Sequence, residues 1–226
     1  MRRLVISLVV AALAAAAYLG GAYAAEVRPR ASSDNWQFEL AYHSLRAIRV
    51  QLPGYEEPMT FWYILYTVTN RTGEDRLFVP DIVLYTDQGE LNVAGRGVSR
   101  DTYTVIKQLY NDPLLRTPTA MTGKLLEGED NAKHSVAIWP DFDANCSMVD
   151  VFFGGLSGET KELILPKPIK KILRTPDGKE KIVVKTKVIL VKTLHLRFKI
   201  TGDPNTRHLN EPVLVSANWV MREPGR

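Results

Sequence analysis

Nineteen residues, 182-IVVKTKVILVKTLHLRFKI-200, constrain the fold more than any other part of the chain. Their even positions are apolar from Ile182 to Ile200, interrupted only by Thr186 and Lys192, while the odd positions include Lys185, Lys187, Arg197 and Lys199. Successive side chains of a strand point to opposite faces, so a period of two held this long specifies a strand with one buried face. A helix would scatter the same residues around its circumference. The run exceeds an ordinary strand, and a bend near Lys192–Thr193 is expected to divide it between two sheets. Pro176-Asp177-Gly178, just upstream, has the chemistry of a hairpin turn.

Other segments carry the same signal. Phe38, Leu40 and Tyr42 alternate with polar neighbours, as do Ile48, Val50 and Leu52 after a break near Ser44. The segment 61-FWYILYTVTN-70 is apolar on both faces, which predicts a central strand or one covered on its outer side. Strands are also expected over 77–87, where Pro80 implies an edge or bulge, and over 91–94, 121–126, 134–140, 148–154, 161–165, 169–174 and 213–222. One helix is expected over 99–111, capped by Ser99 or Asp101, with Tyr103, Ile106, Leu109 and Tyr110 on one face and Asp112-Pro113 ending it. Short strands, frequent turns and one helix predict an all-β, immunoglobulin-like antiparallel β-sandwich, with a helix-bearing insertion at about 96–132. Two tandem sandwiches divided near Pro166-Lys167-Pro168 are the alternative.

The N-terminus reads as an export signal. Arg2 and Arg3 precede an apolar run to about Leu19, and Ala22-Tyr23-Ala24 fits the small-x-small rule for cleavage. The apolar run is shorter than a membrane span prefers. Residues 1–24 are therefore expected to be a signal peptide, with an uncleaved anchor as the alternative, 25–35 a tether and 36–226 the folded domain. An exported chain cleaved there would have no stable transmembrane span. Without Arg2 and Arg3 the chain holds 27 basic and 25 acidic residues, so global charge gives no argument for nucleic acid. Cys146 is the only cysteine, so no disulfide framework supports the domain and its core must suffice.

The run 62-WYILYTVTNRTGEDRLFVPDIVLYTDQGE-90 resembles the opening strands of immunoglobulin-like domains in exported bacterial proteins. Together with the FGGLSGET segment it also resembles uncharacterised bacterial secreted proteins, over most of residues 45–200. The resemblance implies a β-sandwich and an extracytoplasmic address. It brings no catalytic residues, and the paired cysteines of antibody-type domains are missing.

Several chemistries can be weighed on spacing. In 152-FFGGLSGETK-161 only three residues separate Gly154 from Gly158, Glu159 stands in the lysine slot of a phosphate loop, and a strand follows instead of a helix. Ser157 has Gly155 two before it but Glu159 two after it, so the nucleophile-elbow pattern also fails. The stretch reads as a glycine-permitted turn between strands. Asp141, Asp143 and Asn145 occupy the first, third and fifth positions of a calcium loop, but Cys146 and Phe152 replace its glycine and glutamate. A looser calcium site or a solvated turn both fit. His43, His134, His195 and His208 are scattered without ligand spacing.

From Lys161 to Lys199 there are twelve basic residues against three acidic. Lys185, Lys187, Arg197 and Lys199 share the odd face of the long alternation, which fits either a polyanion-binding face or a solvated one that discourages aggregation. With no catalytic constellation, the sequence points to a non-catalytic exported sandwich. It would act in binding or assembly at the cell envelope, on a protein or polysaccharide partner. A calcium-assisted carbohydrate-binding module and an envelope hydrolase with dispersed site residues are the alternatives.

Overall fold

The strand β3 (Met59–Asn70) is the spine of the first sheet. In this computed structural model, which describes residues 36–174 and 180–224, β1 (Glu39–Tyr42) and β2 (Arg46–Val50) follow one another along one edge of β3. The strand β8 (Gly128–Pro140) runs antiparallel along the other edge. The sequence break near Ser44 is the step between β1 and β2. The expected signal peptide, the tether and the Pro176–Gly178 turn lie outside the described residues.

The two apolar faces of β3 are both covered, for different reasons. Trp62, Ile64, Tyr66 and Val68 point into the main core, and Phe61, Tyr63 and Leu65 into a second cluster on the opposite side. That second cluster is closed by α1 (Arg100–Tyr110), whose Ile106 is fully buried. The helix starts where Ser99 Oγ accepts from the Thr102 amide and stops at Asn111, whose φ of 47° is left-handed. Leu109 departs from the expected face: it is 61% exposed, while Thr102 and Ile106 are the buried pair, four residues apart. A short α2 (Pro118–Met121) follows.

The second sheet runs β6 (Leu91–Val93), β5 (Asp81–Thr86), β9 (Met148–Gly154), β11 (Glu180–Lys199), β12 (Val213–Arg222), all antiparallel. Its inner residues, among them Leu84, Val151, Phe153, Leu196 and Phe198, meet the even face of β3, so the chain forms an antiparallel β-sandwich. The expected strand 77–87 is instead two. Pro80 separates β4 (Arg76–Phe78), which pairs with β7 (Gly123–Leu125), from β5 in the large sheet. A residue with no amide hydrogen fits that junction, because neither ladder loses a bond there.

The long alternation behaves differently from the expectation of a bend between sheets. It is one strand, β11, in one sheet, and at its middle it changes neighbours rather than sheets. Leu194–Lys199 pair with β9 on one edge, and Val191–Lys199 with β12 on the other. Beyond Val191, β11 pairs only with β10 (Thr160–Arg174), which continues the line of β9. Pro166-Lys167-Pro168 lies inside β10, at a break in register between Ile164 and Ile169, and the strands on either side of it share a sheet.

The glycine run joins β9 to β10. Gly155 has φ +82°, and a Cβ there would lie 2.1 Å from the Val79 carbonyl oxygen. A Cβ on Gly158 would lie 2.3 Å from Trp36 Nε1. The run therefore needs glycine for close approach as well as for its turn. In return, Phe38 N donates to Leu156 O (2.8 Å) and Gly158 N to Trp36 O (3.1 Å), which fixes the start of the described chain against the sheet.

Candidate functional site

The segment of β10 and β11 that pairs with nothing else forms an arm reaching past the edge of the sandwich. Its origin can be followed along the even face of β11. Leu194 is 1% exposed and Val188 8%, but Val184 is 52% and Ile182 63%. The apolar face that makes the core thus continues outward after the opposing sheet has ended. Ile172 pairs with Ile182 and Leu163 with Val188 across the arm, and both Ile172 and Leu163 are exposed. The odd face adds Ile164 at 76% and Ile189 at 54%. Eight of the eighteen exposed large hydrophobic residues among the described residues lie on this arm. Exposed apolar side chains scattered singly are ordinary, but a cluster of them on one element is not.

The arm also concentrates charge. Thr160–Arg174 and Glu180–Leu190 hold eight basic residues and two acidic. Lys187 pairs with Glu162 at 2.9 Å, and Lys185 contacts Glu223 beyond β12. Lys161 and Lys170 have no ion-pair partner among the described residues. The four residues expected to share a basic face do lie on the odd face of β11, but they are separated along its length. Lys185 and Lys187 are on the arm, whereas Arg197 and Lys199 are on the outer face of the sandwich. At about 3.3 Å per residue, Lys185 and Arg197 are roughly 40 Å apart. Arg197 also approaches Asp150 at 3.4 Å.

The Asp141–Asn145 turn gathers oxygen atoms around a cation supplied by the chain. Arg207, which is 3% exposed, directs Nη2 to Asp141 Oδ1 (2.8 Å) and to Phe142 O, and Nη1 to Asp143 O (2.7 Å). Its guanidinium lies 4.8 Å from the Phe142 ring and 5.8 Å from that of Trp62, whose Nε1 donates to the same Asp141 oxygen at 2.7 Å. Asp143 Oδ1 accepts from the Asn145 amide (2.7 Å), which closes the turn. No group of three or more His, Cys, Asp or Glu side chains able to hold a metal occurs among the described residues. Of the oxygen set expected from the sequence, only Asp141 meets Arg207 through its side chain, Asp143 does so through its carbonyl and Asn145 does not, and Arg207 itself is not foreseen. That residue arrives from a 3-10 turn (Arg207–Leu209) far along the chain, and no local spacing announces it.

Two histidines pair with aspartates. His134 Nδ1 is 3.0 Å from Asp112 Oδ2, and His195 Nε2 is 2.6 Å from Asp150 Oδ1 while its ring stacks on Phe152. Ser135 Oγ, next to His134 but on the opposite face, donates to Arg116 O instead. Among the described residues, no hydroxyl or thiol is hydrogen-bonded to either imidazole. No helix of the described residues is long and apolar enough to cross a membrane. No protein-family model, curated protein or solved structure matches the chain.

Proposed function

We propose that the protein is a non-catalytic, exported β-sandwich that acts in binding or assembly at the cell envelope, with the β10–β11 arm as its contact element. The uncovered apolar arm is the observation that carries this reading. Exposing several branched aliphatic residues on a two-stranded ribbon is costly in water, and a bound partner removes that cost.

The test is site-specific photo-crosslinking in the producing cell. A crosslinker at Ile172 or Ile182 is expected to capture an envelope component, whereas one at Leu114, exposed on the body, is not. Equal labelling at both places would overturn the role of the arm. N-terminal sequencing of the exported product should begin at Ala25, and a chain that keeps Met1 in the cytoplasm would contradict export. The calcium-assisted carbohydrate-binding reading gains no support from the Asp141 turn, whose oxygens serve Arg207. A calcium-dependent rise in Tm that Asp141→Ala abolished would restore it.

A further inference from the structure

We infer that the β10–β11 arm docks on an anionic lipid surface, its even face against the acyl boundary and its lysines on the headgroup phosphates. The inference rests on the reading of the arm as the contact element and names what that element takes.

The first argument is the register of the rungs. Lys161 stands opposite Leu190, Ile164 opposite Lys187, Ile169 opposite Lys185 and Lys170 opposite Val184. Each rung places a branched or straight aliphatic side chain beside a long flexible cation on the same face. A lysine stem can lie along apolar surface while its ammonium reaches the phosphate layer, so this pairing suits a boundary between oil and anions. The even face is the better one to be lowered. It carries Ile172, Ile182, Val184 and Leu163, and its Lys161 and Lys170 are not neutralised within the chain among the described residues. On the odd face, Lys185 and Lys187 already meet Glu223 and Glu162.

The second argument is what the arm lacks. Between Thr160 and Leu190 there is no Phe, Trp or Tyr. Sugars and unpaired bases are recognised largely by stacking on aromatic rings, so a polysaccharide or single-stranded nucleic acid finds no platform here. The cores of protein–protein interfaces favour aromatic residues, Met and Arg, and are depleted of Lys, the reverse of the arm's composition. Two arms side by side would bring two net-positive ribbons together, which opposes self-pairing. A fluid anionic surface requires no fixed pattern of acceptors and gains from both the aliphatic area and the charge.

The test uses the full chain with sedimented vesicles of phosphatidylglycerol mixed with phosphatidylcholine, and of phosphatidylcholine alone. Any contribution of the apolar N-terminus is common to every variant compared. Binding is expected on the anionic vesicles and should weaken on raising salt. K161E/K170E and I172S/I182S are each expected to bind at least tenfold less, since a lysine near an anionic surface contributes about 1 kcal/mol, roughly fivefold per residue. Circular dichroism should show both folds intact, because the altered residues lie outside the core. Equal partitioning on the two vesicle types, or full retention by both double variants, would overturn the inference. So would a dimer that K161E/K170E dissolves, which would assign the arm to a second copy. If the purified chain ignores anionic vesicles but Ile172 still crosslinks to an envelope protein in the cell, the lipid assignment fails and the binding role stands. If both fail, the contact role of the arm falls with it.

Discussion

At the residue scale, the side chains with unusual surroundings concern stability. Arg207 is nearly buried and satisfies three acceptors, whereas its Asp141 partner is 42% exposed, so solvent weakens the ionic part of that contact. Arg207→Ala leaves the Phe142 carbonyl without its donor and the Asp143 carbonyl with the Cys146 amide alone, and is expected to cost roughly 1–3 kcal/mol in urea unfolding. A loss below about 0.5 kcal/mol would show that water replaces the guanidinium freely. Nearby, the Ser147 hydroxyl above all, with the Ser147 and Met148 amides, pulls the Asp87 carboxyl down to about 2 against the opposing effect of burial. A carboxyl lowered in the folded state contributes stability that is full above its unfolded pKa and lost as pH falls through the folded value. Between about pH 4 and 2, the wild type is therefore expected to lose stability more steeply than Asp87→Asn, as read by Tm at each pH. Parallel curves would remove Asp87 from the account. Burial, reinforced by the neighbouring Asp87, pushes the Cys146 thiol up to about 12. Cys146 should accordingly resist a thiol reagent at pH 8 until the chain is unfolded, and rapid labelling of the native protein would contradict this.

At the element scale, α1 is present because β3 has two apolar faces and only one of them meets the second sheet. Fully burying Ile106 contributes about 1.5–3 kcal/mol, and truncating it also leaves a cavity under the helix. Ile106→Ala is expected to destabilise by roughly 2–4 kcal/mol, and Leu109→Ala by less than about 0.5 kcal/mol. Similar losses for the two would mean that α1 is rotated from the orientation seen. This pair also shows what the sequence makes legible. The alternation of 61–70 correctly calls for cover on both sides, and Ser99 and Asp112-Pro113 bracket the helix. Tyr103, Ile106, Leu109 and Tyr110 fit one broad apolar arc, and only the position of β3 decides that Leu109 lies at its exposed margin. The strand over 77–87 fails similarly. Its pattern is β throughout, and the division at Pro80 depends on β7, which lies more than forty residues later.

At the scale of the whole molecule, the alternation of 182–200 identifies a strand and its apolar face, but a period of two carries no information about which rungs have a sheet opposite. The same pattern therefore describes Leu194 in the core and Ile182 in solvent, and the arm becomes visible only once the first sheet is seen to end. In the Asp141 turn the sequence likewise points to carboxylates, but the carbonyls of Phe142 and Asp143 and the Arg207 they hold follow only from the fold. The arm should differ from the body in local stability. Its amides are held by one two-stranded ladder whose faces are largely exposed beyond Val188, a pairing that is marginal alone in water, while the body shares a core drawn from both sheets. Limited trypsin digestion is expected to cut first within 161–190, where lysines are dense, before any site in the sandwich. Hydrogen exchange should likewise proceed faster in Leu163–Ile172 and Ile182–Ile189 than in Leu194–Phe198 of the same strand system. Replacing residues 162–189 by Asn-Gly, which joins the paired Lys161 and Leu190 through a two-residue hairpin turn, is expected to leave Tm within a few degrees of the wild type. A large fall in Tm, or uniform exchange along β11, would mean that the arm is part of the cooperative fold rather than an appendage available to a partner.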